Sequence, residues 1–440
     1  MKVREIMKIK NEYIKVINSL SLPILMNYII SSVFEMLDKA IVGHYSIEGL
    51  AAVGIAASVI SVITGSLGVF SIAYNIVTAE MIGKGDYDMS KKAFSSALLT
   101  SIFIGILFII LSLVFGRTFF KFAYGLDENI LENVLDYYYP GSITVMLNMI
   151  IFIFNVYFRN NKNTKITLYS MSISTVINIF FDYSLVYGKF GFPELGVSGA
   201  AFGSVIGLSA GIIVYIMGMV VFDKINIVIL FSRKCFFRMI KLYVPLLGQD
   251  IMEYTIFTMI ISGIVSRLGT YSMATYTLLE SIGNIVILPV FAYSTSAMTL
   301  AMQKNAADDK SAVKLILKAA IALSLTVISF LSIIFIIFPK TIMKLIVSDI
   351  EVIEKAKVII IYLIIAQIIN IFYQIYKSYL QGTDNEKFVF TTSVIVSLLS
   401  LIWIYLLAII LGVRGIYIGL TLKYLVLVII YYKKIRKYIQ

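Results

Sequence analysis

Asn178-Ile-Phe-Phe-Asp182-Tyr-Ser-Leu-Val-Tyr-Gly188-Lys-Phe-Gly-Phe-Pro193-Glu-Leu-Gly-Val-Ser-Gly-Ala-Ala-Phe-Gly-Ser204 is the stretch on which the reading of this chain turns. An Asn and an Asp stand four residues apart near the end of an apolar run, a spacing that puts both on one face of a helix. A Gly/Pro loop closes that helix, and a small-residue run opens the next. An ionisable side chain in such a run is costly, so it marks a functional site. The stretch therefore reads as two apolar helices joined by a tight loop, with a polar pair held at the end of the first.

The rest of the chain repeats the theme. Of its 440 residues 60% are hydrophobic, against roughly 45–50% apolar in soluble domains, and mean hydropathy is +0.93. Twelve apolar runs follow one another, near 18–40, 50–80, 93–116, 137–158, 167–188, 197–222, 243–266, 272–299, 316–338, 358–380, 388–411 and 416–432. Runs of about 20 residues span a bilayer as helices. The expected fold is an all-α polytopic membrane protein with twelve transmembrane helices. The N-terminal ten residues are basic and amphipathic and carry no cleavage-site pattern, so no signal peptide is expected.

The net charge of +12 does not point to nucleic acid, because the lysines and arginines sit in short connections. They cluster before the first run, after the second, fourth, sixth and eighth, and in the tail Lys433-Lys-Ile-Arg-Lys-Tyr438. By the positive-inside rule both termini face the cytoplasm of a plasma membrane. The lipid bilayer is the expected partner, and the chain is expected to be a monomer. Single residues of Cys (Cys235) and His (His44) exclude an internal disulfide, a Cys-based metal cluster and most His-rich metal sites. No phosphate-binding Gly-Lys-Ser/Thr loop is present, so neither ATP hydrolysis nor a resident cofactor is expected. No catalytic Ser/His/Asp set is evident either, and the chain does not read as an enzyme.

The sequence also repeats internally. Leu22-Pro23 matches Val244-Pro245, and Tyr157-Phe-Arg-Asn-Asn-Lys-Asn-Thr-Lys165 matches Tyr379-Leu-Gln-Gly-Thr-Asp-Asn-Glu-Lys387, both at an offset of 222 residues. Gly196-Val-Ser-Gly199 matches Gly412-Val-Arg-Gly415 at 216, the difference being the 190–195 loop. Two pseudo-symmetric lobes of six helices follow: 1–222, a cytoplasmic linker 223–241, and 242–440. Repeats with an even number of spans share one orientation and suit a transporter with a cavity between halves.

Among the ionisable residues in spans, acids prevail: Glu35 and Asp38 beside Lys39, Asp182, Asp250, Glu253 and Glu280. An acidic interior in a basic protein suits the handling of cations. Asp38, Asn178, Asp182 and Ser204 can supply a cage of oxygens for a sodium ion; the same two carboxylates, close together, can carry a proton instead. Asp250 and Glu253 share a face of the seventh span. Phe34, Tyr254 and Tyr276 stand near these acids in the sequence and would suit an organic cation by cation–π contact.

These residues resemble the multidrug and toxic compound extrusion (MATE) transporters. The resemblance rests on Leu22-Pro23, Asp38, Val42-Gly-His-Tyr45, Leu50-Ala-Ala-Val-Gly54, Asn178 to Gly188 and Gly191-Phe-Pro-Glu-Leu-Gly-Val-Ser-Gly-Ala-Ala201, and it covers essentially the whole chain. It implies an antiporter that exports organic cations in exchange for sodium ions or protons. It implies an ion site at Asp38, Asn178, Asp182 and Ser204 (usually Thr in the family), joined by an Asn of the fourth span, either Asn155 or Asn148. Glu253 falls where some branches keep a coupling Glu, whereas their Asp of the tenth span is Asn370 here. The substrate cavity is then expected to include Phe34, Asp250, Glu253, Tyr254, Tyr276 and Glu280. Two other functions fit less of this pattern. A lipid-linked saccharide flippase of the same wider superfamily should offer basic residues to pyrophosphate, where only Lys39 is evident. A non-transporting sensor or assembly protein would show no flux.

Overall fold

The computed structural model describes residues 2–125, 128–222, 230–344, 347 and 349–439. Among them every regular element is helical. The first half comprises α1 (Lys2–Tyr45), α2 (Ile47–Gly68), α3 (Phe70–Gly83), α4 (Tyr87–Tyr124), α5 (Glu128–Asn160), α6 (Lys165–Tyr187) and α7 (Val197–Phe222). The second comprises α8 (Arg233–Asp250), a π-helical turn (Ile251–Ile256), α9 (Phe257–Ser266), α10 (Thr270–Ala306), α11 (Lys310–Ile337), α12 (Pro339–Lys344), α13 (Ile350–Gln381), α14 (Glu386–Leu411) and α15 (Val413–Ile439).

Ten helical stretches among the described residues are long and apolar enough to cross a membrane. The two expected spans that fall outside this set are α6 and the sequence α8–π turn–α9, and each has a physical reason. In α6, Asn178, Asp182 and a series of hydroxyls dilute the apolar side chains. The other span is cut where the amide of Phe257 bonds to the carbonyl of Met252, one residue further back than in an α-helix. Single π turns inside helices recur at functional sites, and this one carries Glu253. The long second run is likewise two helices, α2 and α3, broken at Val69. Large apolar side chains such as Phe103, Leu113 and Val114 on α4, and Ile402 and Ile410 on α14, remain exposed, as lipid-facing surfaces require.

The internal repeat reappears in the backbone. Lys162 and its counterpart Asp384 both take left-handed conformations, with φ of 59° and 54°. Gly85 and Asp308 also have positive φ (78° and 58°), as do Gly196 and Gly412 (56° and 61°). Asp86 caps α4 by accepting from the amide of Met89, and Asp309 caps α11 by accepting from that of Ala312. A cap satisfies an amide that the first turn leaves without a partner, so both copies begin the helix in the same way.

The chain divides into two compact units. One contains Pro23–Thr78 and Asp86–Tyr243; the other contains Met1–Leu22, Ala79–Gly85 and Val244–Gln440. In the first, Val42, Val53, Phe120, Leu131 and Tyr138 form a core. In the second, Ile17 and Leu20 pack with Leu279, Ile316, Leu380 and Ile404. Residues 233–241, in the segment expected to link the halves, are the first turns of α8; residues 223–229 lie outside the described residues. Cys235 is buried, and His44 bonds from Nδ1 to the carbonyl of Ala40 in the last turn of α1.

Candidate functional site

In the first unit the site is built by the close approach of α6 and α7. Gly199, Gly203, Gly207 and Gly211 recur every four residues and form a smooth stripe on α7. A Cβ at Gly199 would stand 2.7 Å from the backbone of Leu185, one at Gly207 2.6 Å from Asn178 Cβ, and one at Gly203 2.8 Å from the amide nitrogen of Asp182. Small residues at this spacing let helix backbones approach closely, which draws Asn178 and Asp182 against α7. Asn178 Nδ2 donates to Asp182 Oδ1 at 3.1 Å and to Ser204 Oγ at 3.2 Å. Asp182 and Asn178 are 0% and 1% exposed.

Asp38 completes the cluster from α1, buried and close beside Asp182. Its position is fixed by the loop that follows α6. The hydroxyl of Tyr187 donates to the carbonyl of Ile41 at 2.8 Å, and that of Tyr45 donates to Glu194 Oε1 at 3.1 Å. Ile41 lies three residues beyond Asp38, and Tyr187 five beyond Asp182. The loop itself is tied down by Phe190 stacked on Phe180 and Phe192 edge-on to Phe181, and by the amide of Leu195 on the carbonyl of Leu185.

Two buried carboxylates side by side cannot both stay ionised without help: they share a proton or are bridged by a cation. Asn178 Oδ1 and Asp182 Oδ2 are buried with no hydrogen-bond partner. Buried polar atoms without partners are rare and costly, and oxygen donors of this kind suit a hard cation. The cluster can hold a proton or a small cation.

Asn155 stands apart. It accepts a hydrogen bond from Tyr215 at 2.5 Å, and Tyr215 lies eleven residues beyond Ser204, roughly 16 Å along α7 at 1.5 Å per residue. Asn148 donates to the carbonyl of Thr144 in its own helix. The side chains of Phe34, Glu35, Lys39 and Tyr254 lie outside the described residues.

The second unit departs from the expected acidic interior. Glu253 is held on every side: Lys377 Nζ lies 3.0 Å from its Oε2, Gln249 Nε2 donates to the same oxygen at 3.0 Å, and the hydroxyl of Tyr373 donates to Oε1. Gln249 is fixed in turn by Gln381 and Ser393. A second lysine, Lys423, is 2% exposed and lies 3.6 Å from the centroid of the Phe257 ring. The expectation that Lys39 is the main basic residue within the spans is thus corrected: Lys377 and Lys423 are both interior. Lys377 sits near the end of an apolar run and reads there as a charge reaching the membrane surface. Lys423 stands mid-run, and that position was its signal.

Glu253, Tyr276, Glu280 and Lys423 line one cavity of about 160 Å³, together with Phe257 and Tyr417. Tyr276 and Tyr417 approach with ring centroids 6.2 Å apart. Asp250, the last residue of α8, is half-buried. Asn370 donates to Gln367 within α13.

The profile of the MatE family matches the chain twice, over residues 23–184 and 245–406, which are the two repeats. The chain belongs to the MatE family. It is therefore a multi-pass MATE transporter, and a transporter rather than an enzyme. It is similar to the probable multidrug resistance protein NorM of Thermotoga maritima, 25% identical over 370 residues covering 80% of this chain and 75% of that one. YoeA of Bacillus subtilis, also a probable multidrug resistance protein, is 22% identical over 338 residues, 75% of this chain and 72% of its own. Among solved structures, a MATE protein crystallised in a bent conformation superimposes with a TM-score of 0.85 at 17% identity, covering 98% of this chain and 96% of that one. A MOP superfamily transporter from Pyrococcus furiosus, whose binding pocket is described as reversed in polarity and suggestive of a different function, superimposes at 0.83 and 17%, covering 97% and 96%. At that identity the superpositions establish the MATE fold.

Proposed function

We infer that this MATE protein is a multidrug efflux antiporter of the plasma membrane, exporting organic cations in exchange for sodium ions or protons. The observation that carries this reading is the contact between Asp38 and Asp182, with the unpartnered oxygens of Asn178 and Asp182 beside it. Asp38, Asn178, Asp182 and Ser204 form the coupling site. A cation that enters displaces the shared proton and makes each carboxylate a ligand, so one site serves either ion. Ion binding shifts the transporter between states only as far as its affinity differs between them. The termini lie in the cytoplasm, and the monomer is the working unit. The multidrug names of NorM and YoeA support the substrate class.

Glu253 is not part of the coupling in this reading, because the ammonium of Lys377 already occupies the position an exchangeable cation would take. The test is efflux of a cationic dye from proteoliposomes with sodium and proton gradients imposed separately. One gradient should drive efflux in the native protein, and Asp38→Asn and Asp182→Asn should abolish the drive. Efflux that persists unchanged in both variants would remove the assignment.

The flippase reading gains Lys423, which the sequence had not offered it. It needs more than that: a pyrophosphate carries several negative charges, while Lys377 is committed to Glu253 and Glu280 lines the same cavity.

A further inference from the structure

The cavity of the second unit holds charges of both signs that the coupling site does not use. Among the described residues Lys423 makes neither an ion pair nor a hydrogen bond; the nearby carboxylate of Glu253 is taken by Lys377, Tyr373 and Gln249. Its ammonium rests on the ring of Phe257, which offsets only part of the cost of burying a charge. Glu280 lines the same cavity from α10, half-buried, and likewise without an ion-pair partner among the described residues. One turn before it on α10 stands Tyr276, whose ring faces that of Tyr417. A carboxylate flanked by aromatic rings suits an ammonium, and most of all a quaternary one. A buried lysine suits a carboxylate.

The size narrows the occupant. About 160 Å³ is roughly the volume of five waters in the liquid, at about 30 Å³ each, and well under the roughly 300–1,000 Å³ of pockets for drug-sized ligands.

We propose that this cavity is a binding site for small amphoteric molecules, with the carboxylate of the ligand on Lys423 and its ammonium on Glu280 beside the rings of Tyr276 and Tyr417. A bare monocation would leave Lys423 unpaired, and a bare anion would leave Glu280 unpaired. A molecule with both charges satisfies the two at once. The substrate class follows from the transporter reading of the chain; the binding site itself does not depend on it.

Two probes of nearly equal size separate the charges. Glycine betaine carries a quaternary ammonium and a carboxylate; choline carries the same ammonium and a hydroxyl. Equilibrium binding of each, radiolabelled, to the full-length protein in lipid nanodiscs should show betaine bound about tenfold or more tighter, as a charged hydrogen bond commands. Lys423→Gln should erase that preference and leave choline within about twofold. Lys423→Arg should keep the preference, and Glu280→Gln should weaken both ligands. Equal binding of betaine and choline to the native protein, which needs no variant, would overturn the proposal. So would an equal loss of both in Lys423→Gln, the mark of a purely structural lysine. Counterflow of betaine in proteoliposomes separates the two readings. Lys423-dependent binding without counterflow keeps the site and removes transport; dye efflux without betaine preference keeps transport and removes the site.

Discussion

Gly203 and Asp182 share one space. A Cβ on Gly203 would overlap Asp182 Oδ1 and stand 2.8 Å from its amide nitrogen. The absent side chain on α7 is what admits the carboxylate on α6. Gly203→Ala must therefore push the helices apart or turn Asp182 away from Asp38, at a cost of about 1–3 kcal/mol. The expected result is loss of ion-driven efflux with a lowered unfolding temperature in detergent. Gly54→Ala is the control: a Cβ there meets nothing within 4 Å, and a helical alanine is about 1 kcal/mol better than glycine, so its unfolding temperature should hold or rise.

The two polar neighbours of Asp182 should differ in effect. Ser204→Thr keeps the hydroxyl that accepts from Asn178 and should preserve ion activation of efflux. Ser204→Ala removes it, and Asn178→Ala removes an amide that bonds to both Asp182 and Ser204. At about 1–3 kcal/mol for a buried polar group left without its partner, Asn178→Ala should raise the ion concentration for half-activation by about tenfold or more. Ser204→Ala should raise it by less. An identical response from the two alanine variants would contradict this order.

Lys377 should be required for stability because it pairs with Glu253. Removing one member of a buried ion pair costs about 3–5 kcal/mol, while removing both is often neutral. Lys377→Met should lower the unfolding temperature sharply, and Lys377→Met with Glu253→Gln should recover most of the loss. A double variant no more stable than the single one would mean that Lys377 acts through packing.

The loop after α6 makes a smaller prediction. Tyr187→Phe deletes a hydrogen bond to the carbonyl of Ile41 worth about 0.5–1.5 kcal/mol. Because Ile41 holds the end of α1 near Asp38, the variant should also weaken ion activation. Glu194→Gln, at an exposed contact with Tyr45, should change neither measurably.

Much of this was legible in the sequence because it depends on spacing. Asn178 and Asp182 at i and i+4 share a helix face whatever the rest of the chain does, and matched loops at a constant offset reveal a repeat. What escaped depends on packing. Nothing in Ile251–Ile256 announces a π turn, since a shift of hydrogen-bond register is settled by neighbouring helices. Asn155 has the right residue type on the right helix, but its level relative to Asp182 is set by how α5 lies against α7. Lys377 and Lys423 were in plain view. Lys377, near the end of its run, can extend to a membrane surface or turn inward, and only the fold decides between them, whereas the mid-run position of Lys423 already pointed inward.

The Lys377–Glu253 pair has a consequence for the electrical character of transport. A carboxylate neutralised by the ammonium of a lysine in the same chain keeps the same charge throughout a cycle. In the proposed antiport the charges that move are then the ion at Asp38 and Asp182 and the substrate itself. One monovalent ion entering for one monovalent cation leaving transfers no net charge, and membrane voltage does no work on the exchange. For an amphoteric substrate the same exchange is electrogenic: each cycle carries one positive charge inward, and every 100 mV adds about 2.3 kcal/mol to the drive.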